Sequence, residues 1–299
     1  MSTGTVFDIG YQRYEGEREG RDRAVRAVFK DGIRIALGLG RGPRAKVLPW
    51  FFIAVLNVIA LVMAIVVGAA ERLGGPGAAA RLNLPGHDDY YAIVSMVLFV
   101  FAAVVGPELL TRDKREGTLN LYLVRPLTSS DYLVARWSAF LAVITVAAWL
   151  PQLILLMGLA GGDPAPMQYL KTHWLDIPRF LVAGFAMAAY LTTAALLTAT
   201  FTTRRAYATV FLVGLFAITT PFTIGVSQEM KGNLGAWVSA FSLTNIPLHL
   251  SDIMFGEPSA LTQNAAAKRL GDTVLALWYV AWTSAMAVAL WWRYRKLSA

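Results

Sequence analysis

Six long runs of apolar residues, separated by short polar segments, dominate the pattern along the chain. A helix needs roughly 20 apolar residues to cross a hydrocarbon core of about 30 Å. The strict alternation of apolar and polar residues that a membrane barrel requires is absent from the sequence. We therefore predict an all-α fold whose six transmembrane helices lie at residues 48–70, 90–107, 137–160, 180–201, 206–227 and 273–292.

A shorter amphipathic segment precedes the first apolar run. Residues 23–37 place apolar side chains on one helical face and most basic side chains elsewhere. The apolar positions are Val25, Val28, Phe29, Ile33 and Ala36, and the basic positions are Arg23, Arg26, Lys30 and Arg34. This pattern predicts an interfacial helix in the cytoplasmic headgroup layer, with a solvated basic tail as the alternative.

Composition and charge agree with a membrane protein, since 56% of the residues are hydrophobic and only 15% are charged. With the N-terminus assumed inside, 20 of the 27 Lys and Arg residues fall on the inner side of the predicted spans. The positive-inside rule then places both termini in the cytoplasm. The predicted organisation is a cytoplasmic segment, 1–47, followed by a transmembrane domain, 48–299, with an extracellular segment at 228–272.

The net charge of +8 therefore reflects topology and contact with anionic membrane lipid, and we expect no nucleic-acid partner. Residues 1–47 lack the apolar core of a cleavable signal, so we expect them to stay on the protein. The absence of cysteine and the bias toward Ala, Gly and Arg are compatible with a bacterium of high genomic GC content. We accordingly expect a multi-pass protein of the plasma membrane.

The sequence lacks the usual signatures of catalysis. Cysteine is absent, which excludes disulfides, thiolate catalysis and zinc-thiolate sites. His87, His173 and His249 all fall in predicted outside loops without metal-ligand spacing, and solvated or satisfied loop histidines are expected there. Neither a nucleophile elbow nor a phosphate loop occurs. We predict a protein that is not an enzyme and that binds no metal or cofactor, so any ATP and Mg²⁺ would be bound by a partner.

Ionisable side chains are absent from the interiors of the six predicted spans. Proton-coupled carriers and pumps usually need such groups, so an ion-coupled mechanism is disfavoured. The third and fifth spans each contain a proline next to polar residues, which would bend the helix there. Such a bend could line a translocation path, and a kink that serves only helix packing is an equal alternative. The residues concerned are Pro151, Gln152, Thr219, Thr220, Pro221 and Phe222. The threonines between 192 and 203 are expected chiefly to support helix packing.

The segment from 108 to 136 is charged and ordered, unlike a plain connector. Glu108 with Arg112, and Arg112 with Glu116, have the i,i+4 spacing that predicts a helical extension of the second span. Gly117 is placed to end that extension. A proline turn at Arg125 and Pro126 follows, and residues 128–131 have the spacing of a capping box at the start of the next helix.

This segment, DKREGTLNLYLVRPLTSSDYLVAR, resembles the cytoplasmic signature of the membrane subunits of type 2 ATP-binding-cassette (ABC) exporters. Asp113 matches the first acid of the family's charged cluster, and Arg115 stands at the second acid, with Glu116 one place later. The remaining matches are Gly117, Thr118 and Leu119 to the Gly-Thr-Leu, Pro126 to the turn, and Arg136 to the basic residue. The resemblance extends more loosely to the whole chain with its six spans. In the family, the extracellular segment before the last span carries short helices that do not cross the membrane. Here their apolar faces would hold Trp237, Phe241, Leu248 and Phe255.

The resemblance implies a permease subunit that forms half of a translocation path and catalyses nothing itself. Its implied partners are two cytoplasmic ABC ATPase subunits and a second permease subunit, the same or related. The implied contacts with the ATPase are Glu108, Arg112, Asp113, Arg115, Glu116, Gly117, Thr118, Arg125 and Pro126. An ion-coupled secondary transporter and a non-transporting membrane scaffold or assembly factor remain as alternatives.

Overall fold

A computed structural model describes most of the chain. The residues described are 20–40, 42–75, 77–117, 127–163, 165–230, 232–256 and 267–297. All regular structure within these ranges is helical. The predicted all-α class is therefore confirmed for this part of the protein.

Six helices in the described ranges are long and apolar enough to cross a membrane, which confirms the number and order of the predicted spans. They are α2 (Pro43–Gly74), α4 (His87–Val105), α6 (Ser129–Gly162), α8 (Asp176–Ala199), α9 (Arg205–Glu229) and α12 (Asp272–Leu297). Several extend beyond the apolar runs. The third begins at Ser129, for example, as the predicted capping box indicates, whereas its apolar run begins at residue 137.

Shorter helices lie at the two ends of the bundle. Among the described residues they are α1 (Arg21–Ala36), α3 (Ala78–Arg81), α5 (Glu108–Glu116), α7 (Pro166–Thr172), α10 (Asn233–Ala240) and α11 (Ile246–Phe255), with one 3₁₀ turn at Ala267–Leu270. We call the end that holds α1, α5 and the start of α6 the basic end. The end that holds α3, α7 and the start of α4 is the distal end.

Three of the long helices form the interior of the bundle. In the most apolar windows of α4, α6 and α8, 67%, 61% and 72% of the residues are buried, compared with 33%, 17% and 11% for α2, α9 and α12. A spanning helix with an exposed apolar surface has lipid as its natural surroundings. The inner three helices therefore supply the core, and the outer three carry most of the surface available to lipid.

Helices α2 and α6 cross closely because small residues face each other at the crossing. Ala64 and Gly68 on α2 meet Gly158 and Gly162 on α6. A Cβ added at Gly162 would lie 2.7 Å from Cα of Gly68, and one at Gly158 would overlap Cβ of Ala64. Small residues four apart on both helices are the common device by which membrane helices approach each other.

Helix α1 packs on α6 along its apolar face. Val28, Gly32 and Ile35 are buried, whereas Arg23, Arg26, Lys30 and Arg34 are exposed. A Cβ at Gly32 would lie 2.6 Å from Cβ of Ala139, so the two helices are in close contact there. The predicted division into an apolar and a basic face is confirmed, and the structure adds that protein covers much of the apolar face.

The segment between α9 and α12 forms two short helices, α10 and α11, among its described residues. Trp237 and Phe241 pack edge-on against Trp278 of α12, with ring centroids 5.4 and 4.7 Å apart. Leu248 is buried and Phe255 packs against the main core. The apolar contacts predicted for these four side chains are confirmed.

A leucine at Gly158 is expected to destabilise the fold, because its side chain would force α2 away from α6. We expect a loss of about 1–3 kcal/mol in the free energy of unfolding, the usual cost of overpacking. Gly161→Leu is the matched control, since a Cβ at Gly161 would meet no atom within 4 Å. Denaturation by SDS in mixed micelles measures both variants; equal stability would show that the crossing does not depend on small residues.

Candidate functional site

Helix α5 continues the direction of α4 past the end of the apolar run. Gly106 and Pro107, between the two helices, both have right-handed helical dihedral angles, and His87–Glu116 qualifies as one long membrane-spanning helix. Gly117 ends it in a left-handed conformation with φ of 69°, which glycine adopts without strain. The predicted extension of the second span, and its end at Gly117, are therefore confirmed.

The side chain of Arg136 is fully buried beneath this extension. Nη1 donates to Asp31 of α1 at 2.8 Å, Nη2 donates to Asp113 of α5 at 2.8 Å, and Nε donates to the Tyr132 hydroxyl at 3.3 Å. Its guanidinium also lies 5.3 Å from the centre of the Tyr132 ring. One cation thus joins three helices, and we call Asp31, Asp113, Tyr132 and Arg136 the Arg136 junction.

Tyr132 extends the Arg136 junction to α12. Its hydroxyl donates a short hydrogen bond to Asp113, and its ring stacks on Tyr294 with centroids 5.8 Å apart. Asp113 therefore accepts hydrogen bonds from both Arg136 and Tyr132 within a buried site. Because ionised partners make stronger hydrogen bonds than neutral ones, α5 is firmly attached to α6 at this point.

Two further contacts attach α5 to its other neighbours. Lys114 is half-buried, and Nζ donates to the carbonyl oxygens of Ala199 and Thr200 at 3.4 Å each. A cation at the carboxyl end of a helix, here α8, is electrostatically favourable. Glu108 pairs with Arg205 at the start of α9, at 2.7 Å. Contacts from α1, α6, α8 and α9 thus surround one nine-residue helix.

The start of α6 is held in the same region. The Thr128 hydroxyl accepts from the backbone N–H of Asp131, and the Asp131 carboxylate accepts from the N–H of Thr128, which confirms the predicted capping box. Arg21 of α1 donates to both oxygens of Asp131, at 2.7 and 2.9 Å. The same carboxylate thus caps α6 and attaches the first turn of α1 to it.

The charges on α5 divide between an inner and an outer side. Arg112 pairs with Glu116 at 3.2 Å, as predicted, and Arg115, Glu116 and Gly117 are exposed. Asp113 differs from the prediction, because only 6% of its side chain is exposed and it faces Arg136. Asp113 therefore belongs to the Arg136 junction, and its expected contact with an ATPase stays a prediction. The predicted residues Thr118, Arg125 and Pro126 lie outside the described residues.

A comparison with protein families decides what kind of protein carries this arrangement. The family model for ABC-2 family transporter proteins matches residues 50–298. The chain belongs to the ABC-2 transporter family. The resemblance of the 108–136 segment to membrane subunits of type 2 ABC exporters is thereby confirmed at the level of the family. A search of curated proteins found no match to this chain.

Membership assigns this ABC-2 protein a general role. It is a multi-pass membrane component of a transport system, and such components are generally not catalytic. Membrane proteins of the ABC-2 family work with ATPase subunits in ABC transporters. The groups available at the basic end of this ABC-2 protein, which are ion pairs, a buried guanidinium and helix ends, suit attachment and movement of helices.

The predicted path residues of this ABC-2 protein take part in two separate contacts. Gln152, the residue after Pro151, is fully buried, and its Oε1 lies 2.6 Å from Nδ1 of His87. Thr220 shares a hydrogen bond with Thr244 at 2.6 Å. Phe222 is 65% exposed on the outer surface of α9. Helices α6 and α9 continue through Pro151 and Pro221, so a path-lining role for these residues and for Thr219 stays a prediction.

Two histidines differ from the expectation of solvated or satisfied loop residues. His87 begins α4 and is 6% exposed, and His249 lies in α11 and is 1% exposed. Each has an Nε2 atom without a hydrogen-bond partner among the described residues. Burial lowers the pKa of His249 to about 4, so its ring is neutral near pH 7. The described residues contain no group of three or more potential metal ligands.

One of the threonines of α8 makes the predicted hydrogen bond between helices. Thr193 accepts a hydrogen bond from the indole N–H of Trp137 on α6 at 3.0 Å and donates to the carbonyl of Ala189. This contact joins two helices of the bundle interior. A packing role is therefore confirmed for Thr193.

Removal of Arg136 should be strongly destabilising, because Arg136→Met leaves Asp113 buried without its cation. We expect a loss of about 3–5 kcal/mol in the free energy of unfolding, measured by SDS denaturation. Adding Asp113→Asn to Arg136→Met should restore a substantial part of the lost free energy of unfolding, because it removes the unpaired carboxylate. The control is Arg21→Met, which removes a pair whose arginine is 59% exposed and should cost no more than about 1 kcal/mol. Similar losses in the two single variants would contradict the assignment.

Proposed function

We propose that this protein is the permease subunit of an ATP-driven ABC exporter. In this proposal it forms half of the translocation path, and a second permease subunit, the same or related, forms the other half. Two cytoplasmic ABC ATPase subunits bind beneath them and carry the ATP and Mg²⁺. The 108–136 segment is the coupling loop that receives movement from the ATPase.

The observation that carries the proposal is the attachment of α5 through Arg136. A coupling element must bear exposed charge for a partner and must also be joined to the helices that it moves. Arg112, Arg115 and Glu116 supply polar and charged surface, and Arg115 is 63% exposed. Directly behind them, the buried Arg136 joins α5 to α1 and α6. A push on the exposed side of α5 is therefore passed to several helices together.

Charge supports the placement of this end in the cytoplasm. In the topology that puts the basic end inside, 20 of the 27 Lys and Arg residues lie on the cytoplasmic side. The exposed basic face of α1 then meets the anionic inner leaflet, where each Lys or Arg contributes about 1 kcal/mol to membrane attachment. We propose on this basis that both termini are cytoplasmic, in the plasma membrane of a bacterium.

Reversal of the exposed charges on α5 should release the ATPase without unfolding the permease. We expect the tagged wild-type chain, purified in mild detergent from its native membrane, to retain a protein that bears a phosphate-loop signature, identified by mass spectrometry. The double variant Arg115→Glu/Glu116→Lys should retain at least about tenfold less of it, since charge-assisted contacts are lost.

Lys171→Glu is the control, because Lys171 is exposed at the distal end and its reversal changes charge far from α5. It should retain the ATPase at the wild-type level. Recovery of the wild-type chain without any ATPase would favour the scaffold or the ion-coupled carrier. Transport that survives collapse of the proton and sodium gradients while ATP is present would exclude the carrier.

A further inference from the structure

Two basic side chains at the basic end lie close together without a carboxylate between them. Lys114 of α5 and Arg293 of α12 are near enough for the guanidinium to repel the ammonium group. Neither forms an ion pair with any described residue. Both side chains are partly buried. We call these two residues, with Phe201 just after α8, the Lys114–Arg293 site.

The protein contacts of Lys114 do not neutralise its charge. Nζ donates to the carbonyl oxygens of Ala199 and Thr200 at 3.4 Å each, longer than the usual 2.7–3.2 Å. The centre of the Tyr294 ring lies 5.9 Å from the same atom. These partners are dipoles and an aromatic face, and none of them carries a negative charge. A half-buried cation beside a second cation is unfavourable, so an anion at this place would be stabilising.

The guanidinium of Arg293 is stacked on an exposed ring. Its Cζ lies 4.2 Å from the centre of the Phe201 ring, and Phe201 is 61% exposed. Nε is buried without a partner among the described residues. The two Nη groups also lack a described partner, but they are not buried. Arginine binds phosphate with parallel N–H donors and can stack on a ring at the same time. The accessible edge of Arg293 is therefore suited to a phosphate group.

Neighbouring residues place the Lys114–Arg293 site at the membrane surface. Helix α12 has the least buried apolar window of the six long helices in the described ranges, 11%, so lipid is its natural surroundings. Trp291 and Trp292 come directly before Arg293 on this helix, and both are exposed. Tryptophan is enriched at the level of the lipid headgroups. Basic pockets between spanning helices at that level are typical of sites for anionic lipid headgroups.

We propose that the Lys114–Arg293 site binds the phosphate of an anionic phospholipid in the leaflet at the basic end. The Nη groups of Arg293 donate to the phosphate oxygens, and the ammonium group of Lys114 adds attraction for the negative charge. The acyl chains lie against Phe201 and the exposed apolar surface of α12. The bound phosphate relieves the repulsion between the two cations. Binding of this lipid does not depend on the ATPase contact proposed for α5.

Native mass spectrometry of the full chain, purified in mild detergent and freed of lipid, tests the proposal. The probes are phosphatidylglycerol, phosphatidylcholine with the same acyl chains, and glycerol 3-phosphate. We expect phosphatidylglycerol to bind at least about tenfold more tightly than phosphatidylcholine, whose quaternary ammonium group is repelled by the two cations. Glycerol 3-phosphate in large excess should not displace phosphatidylglycerol, because it has no acyl chains to contact the apolar surface.

Variants connect the binding to the two cations. Arg293→Gln should weaken phosphatidylglycerol binding about tenfold, because charge-assisted hydrogen bonds to the phosphate are lost. This variant is expected to fold, since Arg293 has no ion pair with the described residues. Lys114→Met should weaken binding several-fold.

Arg295→Gln is the matched control. It removes the same charge two residues further along α12, where Arg295 is exposed and lies 4.8 Å from the centre of the Trp291 ring. The affinity for phosphatidylglycerol should change less than about threefold, since a charge that water surrounds contributes little.

Three results would overturn the proposal. Equal losses of affinity in Arg293→Gln and Arg295→Gln would mean that only the general positive charge attracts the lipid. Equal affinity for phosphatidylglycerol and phosphatidylcholine would show no preference for an anionic headgroup. Displacement of phosphatidylglycerol by glycerol 3-phosphate would assign the site to a soluble phosphate compound.

Discussion

The burial of one arginine side chain determines how the basic end of this protein is built. An unpaired cation in a desolvated site is so unfavourable that Arg136 must have anionic and hydrogen-bonding partners around it. Those partners come from three helices, since Asp31 lies on α1, Asp113 on α5 and Tyr132 on α6. Displacing any one of these helices would leave the guanidinium or a carboxylate without its partner. The three helices are therefore expected to move as one unit.

The opposite end follows a different physical logic. There, α2 and α6 approach through Ala64, Gly68, Gly158 and Gly162, where contact depends on the absence of side chains. Dispersion contacts and close backbone approach hold such a crossing, and Arg72 of α2 adds hydrogen bonds to the carbonyls of Gly161 and Gly162 on α6. Buried ion pairs therefore dominate the attachment at the basic end, and close helix packing dominates it at this crossing.

Much of the fold could be predicted from the sequence because lipid imposes a simple requirement. The six apolar runs of the sequence correspond to six helices. Gly117 marks the end of α5, and the Thr128–Asp131 capping box marks the start of α6, because both helix ends depend only on local residues. The Arg136 junction could not be predicted in this way. Asp31 and Arg136 are 105 residues apart, and their contact depends on how α1 lies on α6. The i,i+4 spacing of Tyr132 and Arg136 was a visible signal, but it does not reveal burial.

The candidate site was accordingly predicted in part. Exposure of Arg115 and Glu116 agrees with a contact surface, whereas Asp113 proved to face inward. The small residues at the α2–α6 crossing were present as a four-residue spacing in the sequence, although the spacing by itself does not identify the partner helix. His87 was assigned to a loop because hydropathy begins the second span at residue 90, whereas the helix begins three residues earlier. Polar residues at helix ends are invisible to a search for apolar runs.

The different exposure of the charges on α5 has a consequence for how ionic strength acts on the protein. Dissolved ions screen charges that water surrounds, and they act far less on charges buried in the protein. Arg115 and Glu116 belong to the first class, and Arg136 with Asp113 to the second. A partner held by the exposed charges would therefore dissociate in concentrated salt while the helices behind them keep their arrangement. Concentrated salt therefore acts on the exposed charges of α5 and much less on the ion pairs that maintain the membrane domain.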